Sequence, residues 1–69
     1  MKSITISSNT RDFTLIRSND EITLVVKQDG EELFNQSSVQ ARVIYLMLDE
    51  WYSDRKVTKK LRRWLMENL

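Results

Sequence analysis

The sequence predicts an α+β domain: a four-stranded antiparallel β-meander followed by two α-helices packed on one face, in the order ββββαα. Three observations carry that prediction. Apolar and polar residues alternate with period two through the first half of the chain, the signature of half-buried strands. Turn-forming residues interrupt the alternation at regular intervals, at Ser8-Asn9-Thr10, Ser18-Asn19-Asp20 and Asp29-Gly30. From Ser37 onward the period changes to that of a helix. The boundaries read as residues 1–36 for the meander and 37–69 for a helical hairpin.

Each strand has its own inward set. Ile4 and Ile6 alternate with Ser3, Thr5 and Ser7 in the first; Phe13 and Leu15 alternate with Asp12 and Thr14 in the second. In the third, Ile22, Leu24 and Val26 alternate with Thr23, Val25 and Lys27. Asp29-Gly30 is the sharpest turn signal. A type I′ hairpin needs positive φ at both central positions, and Gly, then Asp or Asn, tolerate it best. A fourth, weaker strand is expected at Glu31 to Asn35, with Leu33 or Phe34 pointing inward.

Ser37-Ser38-Val39-Gln40 has the spacing of a capping box, with Ser37 as N-cap, so the first helix is expected to begin there. At 100° per residue, Val39, Val43, Ile44, Leu46, Met47, Leu48 and Trp51 cover most of its circumference, and Tyr45 and Tyr52 widen the arc. Arg42, Asp49 and Ser53 form a thin polar edge. A helix apolar over so wide an arc needs cover on more than one side. The meander supplies one; the second helix or a second copy of the chain supplies another. Ser53 or Asp54 can cap a second helix from about Arg55 to Asn68. There Val57, Leu61, Trp64, Leu65 and Leu69 share one arc, and Arg55, Lys56, Lys59, Lys60, Arg62 and Arg63 occupy the rest.

Composition narrows the function classes. With 69 residues, the chain is one domain that buries only about 60% of the surface its unfolded form exposes. It holds no Cys and no His, which removes disulfides and the main zinc ligands as staples. Self-association is then the expected stabiliser, as a homodimer. No apolar run approaches the length that crosses a bilayer, and the N-terminus lacks the apolar block of a secretory signal. A cytoplasmic location with no membrane contact is expected. Without His or Cys, catalysis would fall to carboxylates, Lys and Tyr, and Asp49 and Glu50 point about 100° apart on a helix. The single glycine is already assigned to a hairpin, so no phosphate-binding loop exists. Neither catalytic residues nor metal ligands nor a cofactor are expected.

Two surfaces remain as candidates. The first is an aromatic corner, Arg42, Tyr45, Trp51 and Tyr52, of the residue types that dominate protein–protein hot spots. The second is the cationic face of the C-terminal helix. Residues 1–36 carry a net charge of −2 and residues 37–69 a net charge of +3. Lys56, Lys59, Lys60, Arg62 and Arg63 are the candidates for phosphate contact, although the pI of 8.1 falls short of that of a typical nucleic-acid-binding domain. The outer face of the sheet, with Thr5, Thr14, Ile16, Thr23, Val25 and Lys27, offers no aromatic platform for single-stranded bases unless Phe34 turns outward. The sequence thus predicts a small non-enzymatic protein of the regulator or inhibitor type found in bacteria and phages. It acts on a partner protein through the aromatic corner; the alternative is a nucleic-acid-binding regulator using the cationic helix.

Overall fold

The computed structural model describes residues 1–51 and 55–68. Its elements are β1 (Lys2–Ser8), β2 (Arg11–Ser18), β3 (Glu21–Gln28), β4 (Glu31–Ser38), α1 (Ala41–Asp49) and α2 (Arg55–Glu67). The strands form one antiparallel sheet in the order β1-β2-β3-β4. Both helices lie on the same face of it, α2 over β1 and β2, α1 over β3 and β4. This is the ββββαα arrangement that the alternation and the change of period predict.

Two-residue loops join consecutive strands, and each has its first residue at positive φ: Asn9, Asn19 and Asp29. Asn and Asp enter the left-handed region at low cost because their short polar side chains bond locally. Only the last loop also has its second residue there, Gly30 at φ 83°, as a primed turn requires. A Cβ built on Gly30 meets no atom within 4 Å, so the strain of a substitution there is confined to the backbone. Gly30→Val is therefore expected to lower stability by about 1–2 kcal/mol; an unchanged denaturation midpoint would show that the turn relaxes freely.

The inward residues meet across the strands. Ile4 pairs with Leu15, Ile6 with Phe13, Phe13 with Val26, and Leu15 with Leu24. Phe13, Leu15, Leu24, Val26, Ile44, Leu48, Leu61 and Leu65 are fully buried, with Ile22 and Val57 nearly so. Strand and helix residues together make one core. On the opposite face, Thr5 bonds Thr14 at 3.0 Å, Thr23 bonds Ser37 at 2.7 Å, and the Ser7 hydroxyl donates to Asp12 at 2.5 Å. That face combines such polar cross-strand pairs with the half-buried Ile16 and Val25.

Two expectations need correction. β4 runs to Ser38, three residues beyond Asn35, so the meander ends two residues later than the expected boundary at 36. A register shift lies along β4: Val26 faces Phe34 while Lys27 faces Glu32. Leu33 is the extra residue of a bulge and is exposed, and Phe34 is the side chain that packs on the core. The capping box does not form. Ser37 and Ser38 pair with Thr23 and Ile22 in the sheet, which takes them away from a helix terminus. α1 begins at Ala41 behind an extended Gln40 with no side-chain cap. The Gln40 N–H instead donates to Ser38 Oγ at 3.1 Å.

α1 closes with tight i→i−3 bonds, Glu50 N–H to the Met47 carbonyl and Trp51 N–H to the Leu48 carbonyl. At the end of α2, Asn68 Nδ2 donates to the Trp64 carbonyl at 2.8 Å, satisfying one of the acceptors a helix terminus leaves open. The expected caps Ser53 and Asp54, and the core position Leu69, lie outside the described residues.

Candidate functional site

The aromatic corner does not gather into one surface patch. Trp51 is half-buried, with Phe13 at 6.0 Å and Phe34 at 6.1 Å between ring centroids, both edge-to-face. The Arg11 guanidinium lies 5.2 Å from the Trp51 ring centroid. Arg11 is itself held by its Nε donating to Gln28 Oε1 at 3.2 Å. Trp51 therefore plugs the end of the core nearest the β3–β4 hairpin, where strand and helix residues meet. Its indole Nε1 is buried without a partner among the described residues.

Tyr45 is also half-buried and committed to the fold. Its hydroxyl donates to the Arg62 carbonyl at 3.3 Å, and its ring lies 5.8 Å from the Arg62 guanidinium. Arg62 in turn forms an ion pair with Asp49. These three side chains join α1 to α2. Arg42 is exposed on α1, whereas Trp51 follows the end of that helix and packs on Phe13 and Phe34. Tyr52 lies outside the described residues.

The cationic set divides differently. Arg55, Lys56, Lys59, Lys60 and Arg63 are exposed, and among the described residues none has an ion-pair partner. They project away from the side of α2 that carries the buried Val57, Thr58, Leu61 and Leu65. Two shallow grooves run along them, one lined by Arg55, Thr58, Lys59 and Arg62, the other by Lys56, Lys59, Lys60 and Arg63. The first reaches toward α1 through Arg62. Unlike the other cations, Arg62 serves the joint between the helices.

Beside this cationic face lies an apolar strip that was not separable in the sequence from the rest of the wide arc. Val39 is 67% exposed and Leu46 62% exposed, with Val43 half-buried between them. Ile44 and Leu48 take the opposite side of α1 into the core. The wide arc of α1 is thus covered by the sheet and by α2 on its inner side and bare on its outer side. Across the molecule, the outer sheet face has a shallow depression whose lining mixes Asp12, Lys27 and Glu32 with Ile16 and Val25. Phe34 is turned inward, so that face presents no aromatic ring.

No family model, curated protein or solved structure matches this chain. Its own geometry is the guide to function. Among the described residues, no three acidic side chains converge as a metal site would require, and no helix is long and apolar enough to cross a membrane. Among the described residues, the outer side of the helix layer carries exposed apolar side chains and cations without ion-pair partners.

Proposed function

We propose that the protein is a small non-enzymatic binding protein that regulates or inhibits a partner protein through the outer side of its helix pair. One observation carries this reading. Leu46 on the outer side of α1 and Val39 in the link between β4 and α1, both large and apolar, are left open. Apolar side chains at the centre of a polar rim are how protein interfaces are anchored. Arg42, from the expected corner, belongs to this surface; Tyr45 supports it by tying the middle of α1 to α2, and Trp51 by packing on the core just past the end of α1.

The nucleic-acid reading has an observation of its own, the five cations of α2 that are unpaired among the described residues. Phosphate contacts need cations, yet a polyanion gives Val39 and Leu46 nothing apolar to bury against. Dimerisation, the cover expected for the wide arc of α1, fits this face poorly. A second copy would bring two cationic surfaces together, and like charges at an interface are costly. We place any self-association at the free sheet edges, β1 and β4, where light scattering would read twice the 8.3 kDa chain mass.

The test is affinity capture from lysate of the source cells, with and without nuclease treatment. The parent chain and a Thr14→Lys variant, altered on the outer sheet face, are expected to retain the same protein, and Leu46→Glu to lose it. An anchor residue of this kind is worth about 2 kcal/mol or more, roughly a thirtyfold loss of affinity. Recovery of nuclease-sensitive material alone, or identical capture by Leu46→Glu, would overturn the reading.

A further inference from the structure

The protein-binding reading above leaves the chemistry of the partner open, and the layout of the helix layer narrows it. On α1, Arg42, Val43 and Leu46 fall within an arc of about 100° by the 3.6-residue repeat, and the exposed Val39 precedes the helix. That arc lies opposite the buried Ile44 and Leu48. On α2, the exposed cations lie opposite Val57, Leu61 and Leu65. Because both helices rest on the same face of one sheet, both exposed arcs point away from it. The links from Arg62 to Tyr45 and Asp49 hold the two arcs side by side.

Charge is unequal across this surface. Asp49 is occupied by Arg62, which leaves Glu50, just past α1, and Glu67 as the other exposed acids among the described residues from 41 onward, against Arg42 and the five cations of α2 that are unpaired among the described residues. A neutral apolar helix would cover Leu46 and leave the cations without partners. A polyanion would satisfy the cations and leave Leu46 bare. We infer that the surface takes an acidic amphipathic helix of a partner protein, its apolar side on Val39, Val43 and Leu46, its carboxylates toward Arg42, Arg55 and Lys59. Val43 and Leu46 stand about one turn apart on α1, with Val39 just before its start, so two to three turns of such a helix suffice. This is helix-in-groove recognition, with apolar anchors at i, i+3/i+4 and i+7 on the incoming helix.

The test uses defined probes against the full chain, read by fluorescence anisotropy. The first is a designed Leu/Glu peptide of about 14 residues with Leu at helical spacing. The second has the same composition with the spacing scrambled, the third replaces Glu by Lys, and the fourth is a random-sequence duplex oligonucleotide. The amphipathic acidic peptide is expected to bind at least about tenfold tighter than the scrambled or the Lys peptide. Leu46→Glu in the protein is expected to remove that margin, while Thr14→Lys leaves it unchanged. Equal binding of the ordered and scrambled peptides would reduce the contact to charge alone and overturn the inference. So would duplex binding tighter than the peptide and indifferent to Leu46→Glu, which would give the surface to nucleic acid. A light-scattering mass doubled in the parent and restored to one chain by Leu46→Glu would give it to a second copy. If a lysate protein is lost on Leu46→Glu but excess Leu/Glu peptide does not compete for it, the acidic-helix inference falls and the protein-binding reading stands.

Discussion

Trp51→Ala is expected to unfold a large fraction of the protein at room temperature, although Trp51 stands two residues beyond the end of α1. At roughly 0.05–0.15 kcal/mol per residue, a 69-residue chain has about 3–10 kcal/mol in total. Truncating a core Trp costs about 3–5 kcal/mol. Partial exposure places Trp51 near the lower end, while the two edge-to-face contacts with Phe13 and Phe34 add about 0.5–1.5 kcal/mol each beyond area burial. The loss is therefore comparable with the whole margin of stability. Trp51→Phe separates packing from shape. It keeps a ring between Phe13 and Phe34 and removes the indole N–H that is buried without a partner among the described residues. A buried unsatisfied donor carries a desolvation penalty of about 1–3 kcal/mol, so its removal offsets much of the volume lost. Denaturant titrations should thus rank the chains as parent, then Trp51→Phe close behind, with Trp51→Ala far below. Coincident midpoints for Trp51→Ala and the parent would refute the role assigned to this ring, and only then would Trp51 be free to serve as an interface anchor.

The sheet was legible because an antiparallel strand with one face on a core writes that geometry as period-two alternation. β1, β2 and β3 each bury alternate residues, and their turns carry Asn or Asp where positive φ is needed. β4 was harder to read. Its second half, Asn35-Gln36-Ser37-Ser38, has little β propensity, and an edge strand pairs on one side only. What holds it is long-range, the ladder to β3 and the Thr23–Ser37 bond. The same serines mimic a capping box because Ser side chains bond nearby backbone N–H groups in strand exits and helix starts alike; here Ser38 meets Gln40.

The functional surface was half legible. An amphipathic helix separates its polar arc by spacing alone, so the cations of α2 stood out. Which of them is structural did not, because Arg62 is distinguished only by Asp49 and Tyr45 on another helix. α1 posed the reverse problem. Its apolar residues span so wide an arc that spacing cannot tell Ile44, which is buried, from Leu46, which is not. That division is set by where the sheet and α2 happen to lie. Trp51 met the same ambiguity, resolved by Phe13 and Phe34 on strands distant in sequence.

Changing Lys59, Lys60 and Arg63 together to Gln is expected to leave the fold intact and to cost most of the partner affinity at low salt. All three are exposed and unpaired among the described residues, and substitutions at such positions usually stay within about 0.5 kcal/mol. They lie away from Val57, Leu61 and Leu65, which dock α2. Their electrostatic field nevertheless adds to that of Arg42 and Arg55 over the groove, and such fields raise association rates by about tenfold or more at low ionic strength. The parent should therefore bind its protein partner more weakly as salt rises, with the apolar anchor setting a residual affinity. The triple variant should start near that residual level and respond little to salt. A nucleic acid in place of the protein predicts another signature. Each phosphate contact contributes about 0.7–0.9 to the slope of log affinity against log salt, no residual affinity remains at high salt, and Leu46→Glu barely matters. A triple variant that binds the partner as tightly as the parent at low salt would show that these cations merely solvate α2. The outer side of the helix layer would then keep only its apolar strip as a means of recognition.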